Sequence, residues 1–128
     1  MTVETVRVSQ KARNQLITLK RRTGIANWNV LCRWGLCRSL AEPTPPSPVK
    51  LSVDSNVEMS WRTFGGDIGD VLWALLRLRC HNDGLPLDDD TLAHQFRLHL
   101  HRGIGYLVGD PQVSDIAGLA SLALDTRE

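Results

Sequence analysis

Among the side chains of this sequence that could do chemistry, the cysteines and histidines come first. Cys32 and Cys37 stand five apart within "NVLCRWGLCRSL", with Cys80 remote from both. On a helix that spacing is a rotation of about 140°, which aims the two thiolates away from any shared ion. A zinc knuckle places two or three residues between its cysteines and brings a second pair nearby. His99 and His101 are two apart and leave opposite sides of a helix. Asp90, His94 and His101 do share one helical face where a metal could sit, but a solvated polar face accounts for them more simply. Asp67, Asp70 and the run Asp88 to Asp90 could hold Mg²⁺ for phosphodiester cleavage. They fall where helices begin, however, and the helix dipole and capping already call for acids there. "RGIGYLVGD" lacks the strand-then-helix setting of a phosphate loop, and no Gly-rich loop carries a lysine for ATP. No nucleophile with a neighbouring base stands out. No catalytic residue, metal ligand or cofactor is assigned.

The basic residues make a stronger pattern. The formal net charge is +1, but residues 1–40 carry eight cations (Arg7, Lys11, Arg13, Lys20, Arg21, Arg22, Arg33 and Arg38) against Glu4 alone. Residues 54–90 carry eight acids against Arg62, Arg77 and Arg79. Such asymmetry either meets an anionic partner or is neutralised by the acidic region of the same assembly.

Those cations need elements to position them. "ETVRVS" alternates polar and β-branched residues, a short strand with Val6 and Val8 on one face and Thr5 and Arg7 on the other. Ser9 can cap a helix whose apolar stripe is Ala12, Leu16 and Leu19. Gly24 stops it after Lys20, Arg21 and Arg22, where the dipole favours cations. On this helix Lys11 and Arg22 fall within about 20° of each other, and Arg13 and Lys20 share a second stripe. Asn27 can cap a second helix that runs to about Glu42, before Pro43. Its residues Trp28, Val30, Leu31, Cys32, Trp34, Leu36, Cys37 and Leu40 cover nearly the whole circumference, so it must be buried on several sides. A chain this short has few elements to cover it. A second subunit is therefore expected, with Trp28, Leu31, Trp34 and Leu36 in the oligomer core.

Residues 43–48 form a stiff, proline-rich connector. Beyond it, "VKLSV" and "NVEMSWRTF" read as a small β-hairpin turning at Asp54, Ser55 and Asn56 and ending at Gly65 and Gly66. A helix from about Asp67 to His81 is expected to bury Val71, Leu72, Leu75, Leu76 and Leu78. Another runs from Asp88–Asp90 to about Arg102, with Leu92, Phe96 and Leu100 inward. "VSDIAGLASLALD" adds a last short helix capped by Ser114.

A chain of 128 residues, 42% hydrophobic, suits one domain with a modest core. Within it, residues 1–42 form the basic strand–helix–helix segment, residues 43–48 the connector, and residues 49–128 the hairpin with the remaining helices. No stretch reaches the roughly 18 apolar residues of a membrane span, and the amino terminus has no apolar run of secretory type. A cytoplasmic location and reduced thiols are expected. The fold class is mainly α with a minor β component, oligomeric. Its first segment has the layout of a ribbon-helix-helix module, in which strands paired across a dimer enter the major groove. There Thr5 and Arg7 would face bases, while Lys20, Arg21 and Arg22 would meet phosphates.

Three segments, read in order, resemble one family: "RTGI" leading into "NVLCRWGLCRSLAE", then "TFGGDIGDVLWALLRLR", then "HLHRGIGYL". The family is DndE, the smallest protein of the DNA phosphorothioation system, and the resemblance spans about Val6 to Leu107. It implies a single DndE-like domain and a DNA-binding accessory component of the machinery that exchanges a non-bridging phosphate oxygen for sulfur, the sulfur chemistry being done by other modification proteins. It further implies a homotetramer, a dimer being the alternative, and a preference for nicked duplex DNA through surface lysines. Lys11 and Lys20 are the matching positions. Binding through the phosphate backbone is then expected rather than strand insertion. Two other functions stay open: a DNA nicking endonuclease of the same system, and a protein-docking subunit with no DNA affinity.

Overall fold

Ser9 closes the first strand and opens the first helix, its hydroxyl accepting from the Ala12 backbone N–H at 3.0 Å. The structure, a computed structural model, describes residues 3–124. Strand β1 (Thr5–Arg7) leads into helix α1 (Gln10–Thr23), which buries Ala12, Leu16, Leu19 and Thr23. Gly24 ends α1 at φ 77°, donating its N–H to the Lys20 carbonyl, a left-handed closure that glycine adopts without a Cβ penalty. Helix α2 (Trp28–Leu40) follows.

A short strand β2 (Glu58–Ser60) precedes helix α3 (Trp61–Gly65), a 3-10 turn (Gly66–Ile68), helix α4 (Gly69–Asn82), the long helix α5 (Asp89–Gly109) and helix α6 (Ile116–Leu124). The fold is mainly helical with one small antiparallel sheet, as the sequence indicates. The sheet is not the expected hairpin, however. β2 pairs with β1 in the register Thr5↔Ser60, Val6↔Met59, Arg7↔Glu58, and residues 49–53 form no strand. Ser55 fixes this arrangement: its Oγ donates to the Val8 carbonyl at 2.7 Å and accepts from the Val57 N–H at 3.1 Å. "WRTF" turns helical because Ser60 caps it, accepting from the Thr63 N–H at 3.1 Å.

α2 and α5 cross at the centre of the core. Two glycines let their backbones meet: a Cβ at Gly103 would overlap the Gly35 carbonyl oxygen, and one at Gly35 would fall 2.9 Å from Ile104 Cγ1. This contact accounts for much of the burial of α2. Leu31 and Leu36 are wholly buried within the single chain, while Trp28 and Trp34 are half-buried. α5 of the same molecule supplies the cover for Leu31 and Leu36. It can do so because it runs to Gly109 rather than to Arg102 and brings Ile104 and Leu107 into the core. Trp61, Phe64, Trp73 and Phe96 complete the core as an aromatic cluster with ring centroids 5.1–5.5 Å apart.

Two further expectations change. α4 buries Gly69, Leu72, Leu76 and Cys80, and leaves Val71, Leu75 and Leu78 facing solvent. α6 is capped by Asp115, whose carboxylate accepts from the Gly118 N–H at 2.7 Å, in place of Ser114. Asp125, the last residue read into that helix, lies outside the described residues, as do the domain's ends at 1–2 and 126–128. Among the described residues no helix is long and apolar enough to cross a membrane.

Candidate nucleic-acid interface

α1 sets the geometry of the basic surface. Its buried stripe turns one side to the core, so Lys11 and Arg22 emerge along one border and Arg13 and Lys20 along the other, with Arg21 on the outer face. Lys11 to Arg22 spans about 16 Å of helix, the axial length of four to five phosphates on one strand.

The neighbours of these side chains sort them. Lys20 Nζ lies 3.7 Å from the centroid of the Trp28 ring, a cation–π contact that holds the ammonium at the α1–α2 junction. Arg22 donates to the Val108 carbonyl at 2.8 Å, near the carboxyl end of α5, where the dipole favours a cation. Lys11, Arg13 and Arg21 make no ion pair among the described residues. Arg38 lies over the Tyr106 ring at 4.9 Å. Two expected phosphate contacts are otherwise engaged. Arg33 is half-buried and donates to the Phe64 carbonyl at 2.7 Å, satisfying the end of α3. Arg7 pairs with Glu58 at 2.7 Å across the sheet. β1 pairs along one edge with β2 of the same chain, a pairing that the ribbon-helix-helix layout does not include.

Among the described residues the acidic region of the chain meets the basic one in a single ion pair, Arg7–Glu58, and leaves the cations of α1 without a carboxylate partner. The other carboxylate–guanidinium pair among them, Arg79–Asp83, lies within α4 and its end. Asp54 accepts from the Gln10 N–H at the start of α1 at 3.0 Å, while the acids of α4 and α5 serve their own helices. Asp88 caps α5, accepting from the Thr91 hydroxyl at 2.8 Å and the Thr91 N–H at 3.0 Å, which holds its carboxyl below the usual carboxylate range. Asp89 and Asp90 occupy the first turn of α5, and Asp70 that of α4.

Residues that the sequence did not single out build the neighbouring surface. Arg102 donates to Ser39 Oγ at 2.8 Å, to the Ser39 carbonyl at 2.9 Å and to the Thr44 carbonyl, while Arg79 donates to the Leu40, Pro43 and Thr44 carbonyls. Two guanidinium groups thus pin the start of the connector. Beside them a cleft of about 540 Å³ opens between α1, α5 and the connector, lined in part by Lys11, Gln15, His101, Arg102 and Tyr106. Arg102 was hidden in "HLHRGIGYL" because the carbonyls it holds belong to a connector remote in sequence.

His99 and His101 are structural. His101 bridges α1 and α5, its Nδ1 donating to the Arg97 carbonyl at 2.7 Å and its Nε2 accepting from the Ser9 N–H at 3.1 Å. With both nitrogens engaged it cannot join Asp90 and His94 as a ligand. His99 is fully buried with Nδ1 2.8 Å from Ser39 Oγ, and burial together with the Arg102 and Arg79 charges pushes its pKa down to about 4. Burial drives the Cys32 thiol up to about 12 and also raises Cys37 and Cys80, the opposite of an activated nucleophile. Among the described residues no group of three or more His, Cys, Asp or Glu side chains could hold a metal ion.

Comparison with known proteins agrees with this architecture. No curated protein matches the chain. Among solved structures, the crystal structure of DndE from Escherichia coli B7A, involved in DNA phosphorothioation modification, superposes with a TM-score of 0.70 at 23% identity, covering 84% of this chain and 98% of that one. A DndE mutant, also described as involved in DNA phosphorothioation, gives 0.65 at 21% identity, with 84% and 98% covered. At that identity the likeness establishes the fold. The family model for DndE, DNA sulphur modification protein, matches residues 5–115. The chain is a member of the DndE family, within the DNA phosphorothioation system.

Proposed function

We propose that this protein is a DNA-binding accessory component of phosphorothioate modification, holding duplex DNA by its phosphates and preferring a nicked site. The observation that carries this reading is the uncompensated charge of α1. Lys11, Arg13, Lys20, Arg21 and Arg22 lie along about 16 Å of surface, and no carboxylate among the described residues pairs with them. Retaining such repulsion at one face is costly unless a polyanion meets it. Arg38 extends the same basic surface toward Tyr106. The two short strands are occupied with each other, which favours backbone contact over base readout. A backbone-bound duplex is held best where it bends easily, as at a nick. The protein works in the cytoplasm as a homo-oligomer, a tetramer in the favoured form, together with the other modification proteins.

The test is a gel-shift titration at 150 mM salt with duplexes of one sequence, intact and singly nicked, the lanes then run denatured. Tighter retention of the nicked duplex without new cuts is expected. With about five phosphates contacted, log K should fall against log salt with a slope of roughly −4.5. No shift, or a salt-independent one, would leave the protein-docking function. Fresh cuts would establish the nickase instead, although the acids that could serve it are occupied as helix caps and first-turn residues.

A further inference from the structure

We propose that the cleft between α1, α5 and the connector takes up one unpaired nucleotide at a DNA nick, with its base against Tyr106 and its phosphate on Lys11. This rests on the nicked-duplex reading above and supplies a cause for that preference. The cleft, of about 540 Å³, has the size of sites that enclose a small molecule, roughly 300–1,000 Å³. Its walls offer three chemistries that a nucleotide also combines. Ala12, Val49, Leu51 and Leu98 form an apolar lining that a flat ring can fill. The Gln15 amide and the Ser47 hydroxyl offer hydrogen bonds to the edge of a base. Lys11 and Arg102 make the cleft cationic, and among the described residues no carboxylate lines it. A purely apolar ligand would leave both cations unused.

Tyr106 is the aromatic surface of the cleft and is 37% exposed. The guanidinium carbons of Arg38 and Arg102 lie 4.9 and 5.5 Å from its ring centre, contacts that orient the ring without burying it. Arg102 in turn donates from three nitrogens to Ser39 and Thr44, so this wall is fixed before a ligand arrives. His101 also lines the cleft, but both its nitrogens are engaged. Stacking on an aromatic ring tolerates any base, which suits a protein that follows the DNA backbone. Lys11 begins the border of α1 that ends at Arg22, whose guanidinium reaches the Val108 carbonyl of α5. A strand whose phosphates follow that border is brought to the cleft at Lys11. In an intact duplex the nucleotide there is paired and stacked on both sides. At a nick the terminal nucleotide has lost one backbone link and leaves the stack at smaller cost.

Gel shifts of the full chain with three duplexes of one sequence test the proposal: intact, singly nicked, and nicked with abasic residues on both sides of the break. Removing those bases makes the junction easier to bend and leaves nothing to stack, so bending and capture predict opposite results. Capture requires the abasic nick to bind at least about fivefold more weakly than the ordinary one. Equal or tighter binding of the abasic nick would overturn it, with no variant that could misfold. Tyr106→Ala should shrink the nicked-to-intact affinity ratio at least about fivefold, whereas Tyr106→Phe, which keeps the ring, should preserve the ratio. A folded Tyr106→Ala protein with the wild-type ratio would also overturn the proposal. Absence of all duplex binding would sink the proposed function and this inference with it. A nick preference that survives without the bases or without Tyr106 would sink this inference alone.

Discussion

Gly103 and Gly105 sit two residues apart in the same helix, and replacing each with alanine should move stability in opposite directions. Alanine is the better helix former by about 1 kcal/mol, so in open surroundings either change would stabilise α5. At Gly105 the nearest atom to an added Cβ is Gln15 Nε2 at 3.8 Å, ordinary contact with the end of a flexible side chain. At Gly103 the added Cβ would overlap the Gly35 carbonyl oxygen and press on its Cα at 3.0 Å. No rotamer change relieves a clash with backbone, so α2 and α5 must separate along the most buried seam of the molecule. Small-to-large changes in cores cost about 1–3 kcal/mol when side chains can adjust, and more when they cannot; a loss of about 4 kcal/mol or greater is expected here. For a chain of 128 residues, 1 kcal/mol corresponds to about 4 °C in melting temperature. Gly105→Ala should therefore raise Tm by about 2–4 °C, and Gly103→Ala should lower it by about 15 °C or prevent folding. Thermal unfolding followed by circular dichroism at 222 nm measures both. A Gly103→Ala protein melting within a few degrees of wild type would show that the helices do not cross at backbone contact, and the account of how α2 is buried would fall with it.

Other outcomes follow from the same geometry. Alanine at Lys11 or Arg21 should leave Tm within about 1 °C while lowering DNA affinity and flattening the salt slope by about 0.9 per phosphate lost; an unchanged slope would remove that residue from the interface. Arg33→Ala should do the reverse, costing about 1–3 kcal/mol by orphaning the Phe64 carbonyl with little effect on DNA affinity, as urea unfolding beside gel shifts would show. His99 has a folded pKa of about 4 against an ordinary 6.5, so between these values the unfolded chain binds more protons. Its contribution is full above pH 6.5 and falls away toward pH 4, about 2 kcal/mol being lost by pH 5, with His101 shifted in the same direction. Equal urea midpoints at pH 7.5 and 5 would contradict this. Arg102→Lys should release the connector despite keeping the charge, because an ammonium cannot reach Ser39 and Thr44 together; faster proteolysis between Pro43 and Ser55 would report it.

The periodicity of local segments carried much of the fold. Ser9, Gly24 and the stripe Ala12, Leu16, Leu19 define α1 from the sequence, because capping and amphipathicity are local properties. What the local pattern could not show was pairing at long range. "VEMS" reads as half of a hairpin until Ser55 and Val57 bond to Val8, far away in the chain. Likewise, all-round apolarity in α2 signals burial but not by what, and Gly103 looks like a helix breaker until Gly35 is seen beneath it. Of the eight basic residues picked out by charge, composition could not separate Arg33, which donates to the Phe64 carbonyl at the end of α3, from Lys11 and Arg21, which face solvent. Arg102 escaped notice because its partners are main-chain carbonyls, which carry no sequence signature.

The crossing of α2 and α5 also sets an order of events during synthesis. Leu36 leaves the ribosome 68 residues before Ile104, the residue that packs at the α2–α5 crossing. At about 5–20 residues per second, a helix apolar on nearly every side waits roughly 3–14 s for its cover. A truncation ahead of α5 should therefore aggregate rather than yield a smaller folded core.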